Sequence, residues 1–235
     1  MDHNITRILA IDDNPQTLDI LERALGRAGF HVVTATSGQV GMKIIHRHGL
    51  PHLALVDIHM PGMDGFEFAR TVHQFCDLPI IMLTAVDTEA TIIEAIDEFA
   101  EDYVVKPFSP GELVARVRRV LRRVGDFSYI EGPITEVDEM LHVDFANRQV
   151  IVNGDERSLT PLESKLLYIL LRNSGRVVTT GFLLRRLWPL EDAQEDRLRV
   201  HVHRLRKKIE TGDREYIASE RGQGYRFNME APNIV

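Results

Sequence analysis

Ile8-Leu9-Ala10-Ile11-Asp12-Asp13-Asn14-Pro15 decides the fold of the first half of the chain. Four apolar residues, too few for a helix, run straight into two carboxylates. A strand buried on both faces has this form, because a parallel sheet covered on each side leaves no polar face to alternate with. Asn14-Pro15 then supplies a helix cap with proline in the first turn. Leu18, Leu21, Leu25 and Ala28 continue as a helical stripe until Gly29 stops it. The unit recurs along the chain. Residues 32–35, 53–56, 79–83 and 103–105 are further short apolar runs separated by helix-like segments, and Ser109-Pro110-Gly111-Glu112 opens the fifth helix with capping-box spacing. Strand and helix alternating over about 120 residues predict a doubly wound α/β domain on a five-stranded parallel sheet.

Beyond Arg123 the periodicity stops. Residues 124–135 read as a linker between a first domain over 1–123 and a second over 136–230. The second begins with strand-like pieces at 141–144 and 149–152, joined through Asn147 and ended by the turn signal Asn153-Gly154. Thr160-Pro161-Leu162-Glu163 is a second capping box, opening a helix whose Leu166, Leu167, Leu170 and Leu171 face a core and which Gly175 stops. Helices at 181–188 and 193–210 follow. A hairpin of residues 217–219 and 225–227, with Arg221-Gly222-Gln223-Gly224 at its tip, closes the domain. Small sheet, three helices and terminal hairpin predict an α+β winged helix.

The 235 residues suffice for two modest cores, and 44% hydrophobic with 27% charged residues is ordinary for a globular protein. The single cysteine, Cys76, excludes an internal disulfide framework and reads as a small hydrophobe in a reducing compartment. No run reaches the length needed to cross a bilayer and no targeting segment is visible, so a cytoplasmic protein without membrane contact is expected. A net charge of −7 argues against nucleic acid only when read as one number. Residues 197–208 hold six bases and no acid, and a local patch is what a phosphate backbone meets.

Chemistry concentrates where strands should end. Asp12 and Asp13 follow the first run, Asp57 the third, Thr84 the fourth and Lys106 the fifth. In an open parallel sheet of order 2-1-3-4-5 these positions converge at the switch in strand order, where ligands collect. Clustered carboxylates repel unless a cation joins them, and hard oxygen donors favour Mg²⁺. With a hydroxyl and a fixed positive charge on the same rim, the set suits phosphoryl transfer to a carboxylate.

Ile11-Asp12-Asp13, Val56-Asp57 followed by Met60-Pro61-Gly62-Met63-Asp64-Gly65, Thr84-Ala85, and Asp102-Tyr103-Val104-Val105-Lys106-Pro107-Phe108 resemble the receiver domains of response regulators across residues 5–123. The resemblance implies a flavodoxin-like fold with Asp57 as phosphoacceptor. It implies that Asp13, Asp57 and the backbone carbonyl of His59 bind Mg²⁺, with Asp12 acting largely through water. Lys106 would pair with the phosphoryl group, Thr84 would hydrogen-bond it, and Tyr103 would turn inward as Thr84 moves. A cis bond before Pro107 is implied too. His59 and Phe99 depart from the family's usual residues.

On the 193–210 helix, Leu198, Val202, Leu205 and Ile209 recur at inward spacing, leaving Arg197, Val200, His201, Arg204 and Lys208 on the opposite face. Solvated charged faces normally mix signs, and this one does not. His201 and His203 point different ways and make a poor metal pair. Leu159-Thr160-Pro161-Leu162-Glu163, Leu187-Trp188, His201 to Lys208, and Arg221 to Phe227 resemble the OmpR/PhoB winged-helix family over residues 136–228. That implies a helix in the major groove of promoter DNA, with Arg197, Val200 and Arg204 at base edges. His201, Arg206 and Lys207 would touch phosphates, and Arg221 on the wing would reach the minor groove. The loop 189–194 would face RNA polymerase. Asp196 and Arg199 exchange the charges common in the family.

Family members form homodimers on phosphorylation by a partner sensor histidine kinase, through cross-subunit ion pairs. Asp102 with Arg116 and Asp97 with Arg118 match that pattern, while Glu112 would meet Ile92 instead of a base. The function expected is a phosphorylation-controlled transcriptional regulator and not an enzyme beyond its own phosphorylation and slow dephosphorylation. A free-standing phosphotransfer enzyme would have no use for the basic helix and wing, and an RNA-binding regulator would want a stacking platform of aromatics that is not evident.

Overall fold

The computed structural model describes residues 6–85, 100–124, 134–189, 191, 193–212 and 214–228. The chain divides into two compact units, with the main break in sequence between Ile130 and Glu131. Ile92, Asp97, Phe99 and most of the expected linker lie outside the described residues.

In the first unit β1 (Arg7–Ile11), β2 (His31–Ala35), β3 (Leu53–Asp57), β4 (Ile80–Thr84) and β5 (Asp102–Val105) form one parallel sheet. Its order is β2-β1-β3-β4-β5, the arrangement on which convergence of the acids depends. Every residue of β3 and β4 is buried, as strands covered on both faces require. On one face Ile8, Ala10, Leu53, Leu55, Ile81, Leu83 and Val104 pack with Leu18, Leu21 and Leu25 of α1 (Pro15–Arg27) and with Leu113, Val117 and Val120 from the helix after β5. The other face is covered by α2 (Gly38–His48) and α3 (Gly65–His73), pressed so close that a Cβ at Gly41 would stand 2.5 Å from Ile11 Cδ1.

Local chemistry sets the helix ends. Asn14 Oδ1 accepts from the Gln16 amide at 2.9 Å, and proline occupies the first turn of α1, where its missing N–H is no loss. The helix after β5, α4 (Pro110–Val124), makes only half of the capping box its sequence allows. Ser109 Oγ accepts from the Glu112 amide at 3.1 Å, but the Glu112 carboxylate turns down the helix to Arg116 at 2.8 Å.

The second unit opens with an antiparallel meander, β6 (Thr135–Glu136), β7 (Leu141–Asp144), β8 (Gln149–Val152) and β9 (Asp155–Ser158). Asn153 and Gly154 have φ of 52° and 85°, the pair of left-handed residues that a tight hairpin turn needs. Then follow α5 (Pro161–Arg172), β10 (Val177–Thr179), α6 (Thr180–Leu187), α7 (Glu195–Ile209), β11 (Ile217–Glu220) and β12 (Gly224–Phe227). The last two strands form the expected hairpin, and β10 joins its far side in the order β10-β12-β11. Gly224 is required there, since a Cβ would fall 2.0 Å from the Val178 carbonyl oxygen. The capping box of α5 is complete, with Thr160 Oγ1 accepting from the Glu163 amide and Glu163 Oε2 from the Thr160 amide. The architecture is thus a doubly wound parallel domain followed by a winged helix.

Candidate functional site

Asp57 ends β3, Thr84 ends β4, Asp12 and Asp13 follow β1, and Lys106 follows β5. The sheet therefore delivers all five to one edge. One carboxylate oxygen from each of Asp12, Asp13 and Asp57 lies within 4.8 Å of the others. Lys106 Nζ donates to Asp12 Oδ2 at 2.6 Å and stands 3.0 Å from Asp57 Oδ1. Asp12 is fully buried and is further held by the Asn14 amide, 2.9 Å from its other oxygen, so this carboxylate is positioned at both ends. Asp13 is exposed and Asp57 is 6% exposed, which places the Asp57 carboxylate at the inner end of a pocket open on the Asp13 side.

Burial pushes the Asp57 carboxyl above the usual carboxylate range. The Lys106 ammonium opposes this, while Asp12 and Asp13 reinforce it. Three carboxylates against one ammonium leave two negative charges in excess, which is what a divalent cation with oxygen preference would offset. Thr84 is buried, and its carbonyl accepts from the Lys106 amide at 2.7 Å, tying the ends of β4 and β5 together. Tyr103 is half-buried and pairs with Met82, two positions back from Thr84. His59 is exposed at the rim, and the Lys106–Pro107 bond is cis. One residue with no role assigned from sequence matters here. A Cβ on Gly65 would stand 2.4 Å from the Asp57 carbonyl oxygen, so the loop carrying Asp57 folds back onto the start of α3 only because that position is glycine.

In the second unit Leu198, Val202, Leu205 and Ile209 of α7 are buried, and Val200, Arg204 and Lys207 are exposed on the helix surface. Arg221 is exposed at the turn of the β11–β12 hairpin. Between helix and hairpin runs a groove of about 370 Å³, lined by Arg199, His203, Arg221 and Tyr225 among others. Not every base expected to face a ligand does so. The Arg206 guanidinium turns to the hairpin, donating to the Ile217 carbonyl at 3.0 Å through Nε and to Ser219 Oγ at 2.9 Å. It therefore braces the wing where a phosphate contact was expected, because the carbonyl of a nearby strand lies within reach of its fork. Lys208, assigned to the open face, donates to the buried Glu163 and to the Ser158 carbonyl, each at 2.7 Å. The Arg197 guanidinium pairs with Glu191 and lies over the Trp188 ring, 4.7 Å from its centroid. His201 packs on the same ring at 5.5 Å, and burial together with Arg204 draws its imidazole below the ordinary histidine range.

Residues 8–118 match the family described as response regulator receiver domain, and residues 154–227 the family described as transcriptional regulatory protein, C terminal. The chain is 35% identical over 226 residues to the transcriptional regulatory protein KdpE of Mycobacterium tuberculosis, covering 95% of this chain and 99% of that one. The chain belongs to the OmpR/PhoB-type response regulators. The sensory transduction protein RegX3 of Mycobacterium bovis is 36% identical over 227 residues, covering 95% and 99% of the two chains. Among solved structures, the response regulator DrrB of Thermotoga maritima shares 26% identity over 95% of this chain and 99% of its own, at a TM-score of 0.46. This response regulator thus joins a receiver domain to a DNA-binding transcriptional regulatory domain. Among the described residues no helix is long and apolar enough to cross a membrane.

The ionic groups expected to reach across a response-regulator dimer close, where they can be followed, within one chain. Asp102 is buried and receives Arg116 at 3.2 Å and Arg119 at 2.8 Å, the latter unanticipated from sequence. Arg116 also holds Glu112 at 2.8 Å, and Arg118 donates to the Ala28 carbonyl at 3.3 Å. The reason is proximity. The start of β5 lies beside α4, where residues three apart share a face, and a buried carboxylate takes the nearest guanidinium. Asp97, the expected partner of Arg118, lies outside the described residues.

Proposed function

We propose that this response regulator is switched by phosphorylation of Asp57 by a sensor histidine kinase, and that the phosphorylated chain dimerises on promoter DNA. The observation that carries the reading is Lys106 Nζ set between Asp12 and Asp57 at the strand ends. An Asp57 carboxylate oxygen attacks the donor phosphorus, the new O–P bond forms as the donor bond breaks, and the electron pair leaves with the donor nitrogen. Lys106 exchanges part of its contact with the carboxylates for the added phosphoryl oxygens, and the Thr84 hydroxyl donates to one of them. Asp13 and Asp57 with the His59 carbonyl would hold Mg²⁺, with Asp12 acting through water. The ion would offset charge that one lysine cannot.

No separate substrate is turned over in this reading, so the chain is a cytoplasmic switch and not an enzyme. The exposed face of α7 enters the major groove, with Val200 and Arg204 at base edges, Lys207 on phosphate and Arg221 in the minor groove. The α6–α7 loop faces RNA polymerase. The test is direct. With Mg²⁺ and acetyl phosphate, intact-mass spectrometry should find one phosphoryl group on the wild type and none on Asp57→Ala. Equal labelling of both would refute the assignment.

A further inference from the structure

The first turns of α7 carry acids as well as bases, and the two are not scattered. Arg199 is held by Glu195 at 3.0 Å and by Asp196 at 3.3 Å, while Arg197 is held by Glu191 from the α6–α7 loop and by the face of Trp188. Further along the helix Arg204 and Lys207 are exposed, and neither has an ion pair among the described residues. The helix thus has a guarded amino-terminal part and, further along, two bare bases alternating with the engaged Arg206 and Lys208. The guard stands where a phosphate would otherwise be most welcome. The amides of a first helical turn and the positive end of the helix dipole attract any anion, and Gln194 at the cap supplies no side-chain acceptor to occupy them.

We propose that Glu191, Glu195 and Asp196 are specificity-determining residues, which hold Arg197 and Arg199 in ion pairs that DNA must break before either arginine can engage it. This rests on the reading of α7 as the helix that meets DNA. A passing phosphate offers each arginine roughly what the carboxylate already gives, so the exchange gains little on arbitrary sequence. A guanine edge accepting both arms of a guanidinium offers more, and only there is the exchange favourable. The bare Lys207 supplies sequence-independent grip, and the guarded pair adds to the base reading that Arg204 makes unguarded.

The test uses the full chain with Glu191→Gln, with Glu195→Gln plus Asp196→Asn, and with all three changes, each nearly isosteric. Binding is titrated at several salt concentrations on a fixed random-sequence duplex and on a duplex selected by the wild type from a randomised library. Affinity for the random duplex should rise about two- to fivefold for each arginine released, the range that exposed ion pairs allow. Its salt slope should steepen by about one per arginine, since each newly seated base displaces a counterion. Affinity for the selected duplex should rise less, so the ratio between the two falls.

A charge-matched control, Asp155→Asn with Glu156→Gln on β9, should leave that ratio unchanged. Trp188 is the only tryptophan, so its emission reports the Arg197 contact directly, and Glu191→Gln should shift it in the absence of DNA. Equal gains on both duplexes, or none on either, overturn the guard while leaving the DNA-binding reading intact. Failure of the wild type to bind any duplex overturns both.

Discussion

Replacing Lys106 by methionine keeps the length of the side chain and removes its charge. Asp12 would then lose a 2.6 Å partner at a side chain with no solvent exposure, and Asp57 a 3.0 Å partner at one 9% exposed. Removing one member of a buried pair costs about 3–5 kcal/mol, because the other charge is left in a medium that cannot solvate it. Lys106 keeps 19% of its own surface, and the pocket opens beside exposed Asp13, so water reaches the bereft carboxylates. That access brings the cost below the fully buried range, to about 2–3 kcal/mol in metal-free buffer. For a domain of this size that moves the urea midpoint down by about 1–2 M. Trp188 sits in the second unit and would miss the event, so the readout is hydrogen exchange, resolved by peptide, over β3 and β4 of the full chain. Mg²⁺ should then restore more stability to the variant than it adds to the wild type, because the charge in excess grows from two to three. A metal-free midpoint within about 0.3 M of the wild type would show that Lys106 is not what makes the clustered acids tolerable.

Three further outcomes test the remaining groups. Burial raises the folded-state pKa of Asp57 above its unfolded value, so the folded protein binds the extra proton and stability falls as pH rises through that window. Asp57→Asn should therefore be more stable than wild type at neutral pH without metal, with the gap closing below the ordinary carboxylate range; a constant gap in melts across pH would contradict the assignment. Arg204→Ala should cost about 1–3 kcal/mol of DNA binding at one base position without altering the melt. Arg206→Ala should lower the melting temperature of the second unit and leave the salt slope alone, and a slope reduced by about one with an unchanged melt would return Arg206 to the phosphates.

What could be read from sequence was whatever burial writes into it. β3 and β4 are buried at every position, so their residues had to be apolar and their runs stood out. β6, β9 and β10 left no such mark. They are strands of two to four residues that pair through backbone groups indifferent to side-chain type, and β9 is mostly exposed. The pocket was legible because Asp12, Asp57, Thr84 and Lys106 each sit at the end of a run that could itself be seen.

On α7 the helix and its inward face were equally plain, but the destination of each base was not. Arg206 and Arg204 are the same residue two places apart, and only the nearby Ile217 carbonyl separates a brace from an exposed base. Lys208 is drawn to Glu163, 45 residues away, by a carboxylate that the capping box of α5 had already placed. Likewise Glu112 could have completed a box, and the arginine one turn on was the better partner.

Among the described residues β9 forms one edge of the meander, with a row of backbone groups that no further strand of its sheet satisfies. Such a row is a template on which a second chain can zip itself, and an apolar edge invites it. Here the edge is short, Asp155-Glu156-Arg157-Ser158, charged at three positions in place of an apolar surface, and Lys208 already takes the Ser158 carbonyl. An open sheet edge is kept in this way without becoming the seed of an aggregate.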